Sequence, residues 1–205
     1  MNIDEKFQNF ELFVHRRYLA RFIVRYELFK KIMNIEGSII ECGVWNGGGV
    51  LAWGKLSEIF EPYAIKRKII GFDTFEGFPH INDKDKGKNF NPNVKKGAFK
   101  PANTTYDGIL SSIEIFNNER YLNQFNKIEL VKGDALRTIP DFVNENKHLI
   151  VALLFLDFDI YEPTKIALKN LLPRMSKGSI LAFDEINNAG WPGETLALIE
   201  EIKDL

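Results

Sequence analysis

The sequence predicts an α/β fold in which a doubly wound parallel sheet carries helices on both faces, behind an N-terminal helical extension. Three observations carry this reading. Short β-rich runs alternate with helical ones from residue 38 onward. Residues 149–156 are almost wholly apolar, the pattern of a central strand buried on both faces. The β-rich runs end in acids or glycines, and the carboxyl ends of the strands are where such a sheet binds ligands.

The elements follow in order. Apolar residues between positions 10 and 35 (Phe13, Leu19, Phe22, Ile23, Tyr26, Phe29, Ile32) recur at helical spacing, so one or two amphipathic helices precede the main fold. Residues 1–36 form this extension and residues 37–205 the ligand-binding domain. The first strand is 38–42, followed by a glycine loop and a helix at 49–60. The second strand is 68–72. A polar stretch, 79–103, then precedes a helix at 106–116. The third strand (128–132) leads to a helix at 134–145, the fourth (149–156) to a helix at 163–172, and the fifth (179–183) to a helix at 194–202. The stretch 79–103 is longer than an ordinary connection, which predicts a lid that is mobile without ligand and orders over the site, with a disordered segment or a solvated surface loop as the other readings.

Composition narrows the function classes. The chain has 205 residues, 45% of them hydrophobic, enough for one well-buried domain. Its net charge of −1, with basic residues spread along the chain, gives no nucleic-acid groove. The single cysteine, Cys42, excludes an intramolecular disulfide and a cysteine-based zinc cluster, and reads as a small buried hydrophobe. The first ten residues lack a signal peptide's pattern, and the longest apolar run is too short to span a bilayer, so the expected location is cytoplasmic.

The loop Glu41-Cys-Gly-Val-Trp-Asn-Gly-Gly-Gly49 joins the first strand to its helix. Glycines let the backbone turn sharply and approach a ligand. Counting from Gly43, a dinucleotide fingerprint needs its second glycine where this chain has Trp45, which argues against NAD or FAD. Asp73 ends the second strand, where a carboxylate can accept both ribose hydroxyls of an adenosine group. Gly133-Asp134 repeats the pattern after the third strand, with a helix N-cap as the other reading of Asp134. His80 reads as a loop histidine. Trp191 reads either as part of an acceptor pocket or as a packing residue.

Residues 40–45, the run Gly71-Phe-Asp-Thr-Phe-Glu-Gly-Phe-Pro79, Lys132-Gly-Asp134, residues 155–164 and Phe183-Asp-Glu185 together resemble the macrocin O-methyltransferase family. The resemblance runs from about Gly37 to Thr195. It implies a Rossmann-like class I methyltransferase sheet and S-adenosylmethionine as cofactor, with Glu41, Gly43, Gly47, Asp73 and Asp134 as cofactor contacts. It implies a sugar or glycoside hydroxyl as acceptor, Mg²⁺ on Asp157, Asp184 and Glu185, and Asp159 as general base. The pattern departs from the family's more usual residues at Phe158, where glycine is common, and at Glu185, where aspartate is. A class I sheet also normally adds a terminal antiparallel pair that this sequence lacks; either the sequence is truncated or another subunit completes the sheet edge, and a homo-oligomer is the expectation. Two other readings stay open: a nucleotide-dependent oxidoreductase, and a non-catalytic module that binds S-adenosylmethionine or a partner.

Overall fold

The computed structural model describes residues 2–89 and 91–203. The N-terminal extension is three helices: α1 (Ile3–Gln8), α2 (Phe10–Phe13) and α3 (Arg16–Ile32). Asn2 and Glu5 close a capping box on α1. Only the last turns of α3 enter the core, through Phe29 and Ile32.

Five strands follow: β1 (Ser38–Cys42), β2 (Ile69–Asp73), β3 (Ile128–Lys132), β4 (Val151–Leu156) and β5 (Met175–Phe183). They form one sheet in the order β3-β2-β1-β4-β5, and every pairing is parallel. Side-chain alternation sorts the core into two layers. Ile39, Ile69, Leu153 and Phe155 face α3, α4 (Gly48–Phe60) and α5 (Thr105–Glu119). Ile40, Phe72, Leu154 and Leu156 face α6 (Ala135–Glu145), α7 (Tyr161–Leu171) and α8 (Gly193–Ile202). All six residues of β4 are buried, as a central strand requires.

Most boundaries differ from the sequence reading by a residue or more, and three of them bear on the site-forming strands and helix. Strand β4 starts at Val151 rather than 149, and its register against β1 shifts between Ser38 and Ile39. Strand β5 starts at Met175 rather than 179. Its first residues include the polar Ser176 and Lys177 and then Gly178, which hydrophobic periodicity does not register as a strand. Helix α7 starts at Tyr161, two residues before Pro163, and a proline is tolerated within a first turn because the N–H it lacks would be unpaired there anyway. Among the described residues, no helix is long and apolar enough to cross a membrane.

Candidate active site

A cavity of about 370 Å³ lies across the carboxyl ends of the strands. Gly43, Trp45, Asp73, Gly133 and Ala135 line one end. Asp157, Asp159, Asp184 and Glu185 line the other. Phe78, Pro79 and Phe99 from the long connection cover it, and Arg17, Tyr18 and Arg21 reach it from α3.

At the first end, Gly43 adopts φ +95°, and a Cβ there would overlap the carbonyl of Asp157. Only glycine lets the β1 loop touch the end of β4 this closely. Asp73 organises the same loop. Its Oδ2 accepts from the backbone N–H groups of Val44 and Trp45, both at 2.8 Å, and its Oδ1 accepts from Phe75 N–H at 2.6 Å. Those bonds hold Trp45 (φ +47°) and Phe75 (φ +56°) in the left-handed region, a costly conformation for aromatic residues. A carboxylate offers about four lone-pair positions, so Asp73 retains acceptor capacity toward the cavity.

Glu41, Gly47 and Asp134, read from the sequence as cofactor contacts, lie outside the cavity lining. Gly47 stands at the start of α4 with φ +80°, where a Cβ would come 2.7 Å from Ile109 Cγ1. Asp134 caps α6, accepting from Leu136 N–H at 3.0 Å. Glu41 is buried against α4 where Gly49 leaves room for its carboxyl group. Its Oε2 has no hydrogen-bond partner, and burial pushes its pKa from 4.5 up to about 8, against the pull of Arg25.

This burial sets a pH dependence. The unfolded chain releases the Glu41 proton near 4.5 and the folded chain near 8, so Glu41 lowers stability progressively as pH rises through that window. A tenfold difference in proton affinity between the two states is worth about 1.4 kcal/mol. Glu41→Gln is therefore expected to raise the melting temperature at pH 8 and to leave it nearly unchanged at pH 5. Thermal melts across that range check this, and an equal difference at both pH values would contradict it.

The acidic end is built by β4 and β5. Burial and then the Asp184 charge push Asp157 up to about 7, while Arg21 and Arg25 oppose the rise. Burial and then Asp157, Glu185 and Asp184 push Asp159 up to about 8. Asp159 also has φ +62°, a strained conformation for a non-glycine residue. Glu185 accepts from the Asn188 side-chain amide. Among the described residues, no three or more such side chains converge closely enough to hold a metal ion.

Two residues that sequence reasoning missed hold this end in place. Glu194, fully buried in the first turn of α8, accepts from the backbone N–H groups of Phe158 (3.0 Å) and Asp159 (3.2 Å) through Oε1. Its Oε2 accepts from Glu185 N–H at 3.2 Å, so one carboxyl group ties the two acid-bearing loops together. Asp85, buried in the long connection, accepts from Tyr161 N–H at 2.6 Å and from Asn82 N–H at 2.8 Å, capping α7 from the covering segment. Nearby, His80 Nε2 lies 2.5 Å from Glu162 Oε2. The underside of the cover is apolar: Phe78, Ala98, Ile160 and Trp191 form a small core, with the Phe78 and Trp191 rings 5.8 Å apart. Trp191 thus packs against the cover.

The arrangement has counterparts among known proteins. A family model described as Macrocin-O-methyltransferase (TylF) matches residues 27–195. The chain is 26% identical over 151 residues to an 8-demethyl-8-(2,3-dimethoxy-alpha-L-rhamnosyl)-tetracenomycin-C 4'-O-methyltransferase of Streptomyces olivaceus, covering 74% of this chain and 53% of that protein. It is 27% identical over 154 residues to a mycinamicin III 3''-O-methyltransferase of Micromonospora griseorubida, covering 74% of this chain and 56% of that protein. The chain thus spans about half the length of the curated relatives it matches. Among solved structures, the calicheamicin methyltransferase CalS11 superposes with a TM-score of 0.92 at 32% identity, covering 98% of this chain and 77% of that one. A second CalS11 structure, described as an apo TDP-rhamnose 3'-O-methyltransferase, gives a TM-score of 0.81 at 29% identity with the same coverage.

Proposed function

Because this chain belongs to the macrocin O-methyltransferase family, we propose that it transfers a methyl group from S-adenosylmethionine to a hydroxyl of a (deoxy)sugar, nucleotide-linked or carried on a glycoside. The observation that carries the reading is one cavity with a glycine-and-aspartate end and an acidic end, joined where Gly43 meets Asp157. S-adenosylmethionine supplies an electrophilic methyl group when bound. Gly43 gives its methionine portion close access to the backbone, and Asp73 uses its remaining acceptor position on one ribose hydroxyl. Glu41, Gly47 and Asp134 shape this end from behind, by filling the niche at Gly49, starting α4 and capping α6.

Asp159 accepts the proton of the acceptor hydroxyl. A base works best with a pKa near the operating pH, and the raised value of Asp159 suits that task. Glu194 holds its backbone, and the cover excludes water once the sugar is in place. Mg²⁺ belongs to the same proposal: Asp157, Asp184 and Glu185 would hold it through hard oxygen ligands, and it would acidify the acceptor hydroxyl. The support is the donor chemistry and the repulsion among these carboxylates, and closing a metal site requires their side chains to draw nearer than they stand. A homo-oligomer is also part of the proposal, supported by exposed apolar side chains on the extension, such as Phe7 and Leu12 at 73% exposure each. The oxidoreductase reading is disfavoured by Trp45, which stands where a dinucleotide loop needs glycine.

The test is transfer of a labelled methyl group from S-adenosylmethionine to nucleotide-linked 6-deoxyhexoses, with and without excess EDTA. Label on the sugar hydroxyl is expected. No transfer to any sugar would overturn the acceptor class, and undiminished transfer in EDTA would overturn the metal alone.

A further inference from the structure

A second cavity, of about 510 Å³, adjoins the first and shares with it Arg17, Arg21, Asp157 and Asp184. Its other wall is α3, where Arg17, Arg21 and Arg25 recur at four-residue steps on one helix face. Arg17 donates to the Tyr18 hydroxyl at 3.0 Å. Arg25 is packed near Trp53 and Phe155, and its buried Nε has no hydrogen-bond partner. Among the described residues, the ion pairs are made by other basic residues, and none of these three guanidinium groups pairs with a carboxylate. Val24, Leu28 and Phe155 give the same cavity an apolar wall.

We infer that this second cavity is a nucleoside-diphosphate subsite, and that the acceptor is the nucleotide-linked form of the sugar. The inference rests on the sugar methyltransferase reading and narrows it. A sugar held at Asp157 and Asp159 sits at the junction of the two cavities, so its anomeric substituent extends along α3. Guanidinium groups bind phosphate oxygens in a bidentate fork, and an apolar wall accommodates a flat base. A neutral glycoside leaves Arg21 and Arg25 with only the longer-range pull of Asp157 and Glu41, and Arg17 with only the Tyr18 hydroxyl. The carboxylate of the cofactor is the competing anion. The second cavity lacks Gly43, Trp45 and Asp73, the residues of the cofactor end, and Arg25 lines this cavity and not the first.

Calorimetric titration of the full chain with thymidine diphosphate and uridine diphosphate tests this, without and with S-adenosylhomocysteine and at fixed Mg²⁺. At least one diphosphate is expected to bind more tightly than its nucleoside. Arg17→Ala and Arg21→Ala are expected to weaken it about tenfold or more, the scale of a lost charge-assisted hydrogen bond. Arg21→Lys falls between, because it keeps the charge and loses the fork. S-adenosylhomocysteine affinity stays within about twofold of the unaltered chain if the arginines serve the acceptor. Both arginines are exposed, so the alanine variants are expected to melt at the unaltered temperature. A chain that binds S-adenosylhomocysteine but neither diphosphate would overturn the subsite. Variants that lose S-adenosylhomocysteine and keep the diphosphate would overturn it too, by assigning the arginines to the cofactor. Diphosphate binding that depends on the arginines, in a chain that ignores S-adenosylhomocysteine, would keep the subsite and overturn the methyltransferase reading.

Discussion

Asp159→Asn is expected to leave S-adenosylhomocysteine binding intact and to lower kcat by about 10²–10⁴-fold, the usual contribution of a positioned general base. The asparagine keeps the size of the side chain and the backbone N–H that Glu194 accepts, so the loop should stay in place. What disappears is the only function assigned to the carboxylate, taking the acceptor proton. The pH profile gives a second readout. If Asp159 titrates near 8 in the empty site, the low-pH limb of kcat/KM should belong to it and vanish in the variant. An unimpaired variant would remove Asp159 from the mechanism while leaving the methyltransferase assignment in place.

Gly43→Ala is expected to abolish measurable cofactor binding and to destabilise the chain. Left-handed backbone at a non-glycine residue costs on the order of 1–3 kcal/mol by itself. Here the added Cβ also overlaps the Asp157 carbonyl, which is backbone and cannot swing aside. The β1 loop and the end of β4 must separate, so the cofactor end and the acidic end are both damaged. Gly48→Ala is the control. It sits at the start of α4 with open space around its Cβ position and no positive φ, so it should bind S-adenosylhomocysteine normally and melt no lower. Equal behaviour of the two variants would show that the contact between Gly43 and Asp157 does not organise the site.

The sheet and the placement of its acids were legible in the sequence because strand ends announce themselves locally. An apolar run stops, and Asp73, Asp157 or Asp184 follows. The parallel order then brings those ends together without any further signal. Glu41 looked like the same kind of residue. Its burial was hidden because it depends on Gly49, eight positions on, leaving room for the carboxyl group in α4. Glu194 was hidden for a related reason. An acid in a first helical turn is ordinary dipole chemistry, and nothing local reveals that it accepts N–H groups from residues 36, 35 and 9 positions away. The polar segment 79–103 stood out by its length, and its residues Pro79 and Phe99 do line the cavity. The buried Asp85 that pins it to α7 has the composition of any solvated loop acid. The arginines of α3 were hidden within a helical repeat whose visible signal is its apolar residues, and their common cavity forms only once α3 lies beside β4 and β5.

Everything proposed for the reaction depends on the glycine-and-aspartate end of the cavity binding S-adenosylmethionine. Calorimetric titration of the unaltered chain with S-adenosylhomocysteine, and separately with NAD, measures this most directly. Saturable binding of S-adenosylhomocysteine is expected, with a melting temperature that rises with its concentration and no comparable effect of NAD. Tighter binding of NAD than of S-adenosylhomocysteine would contradict it.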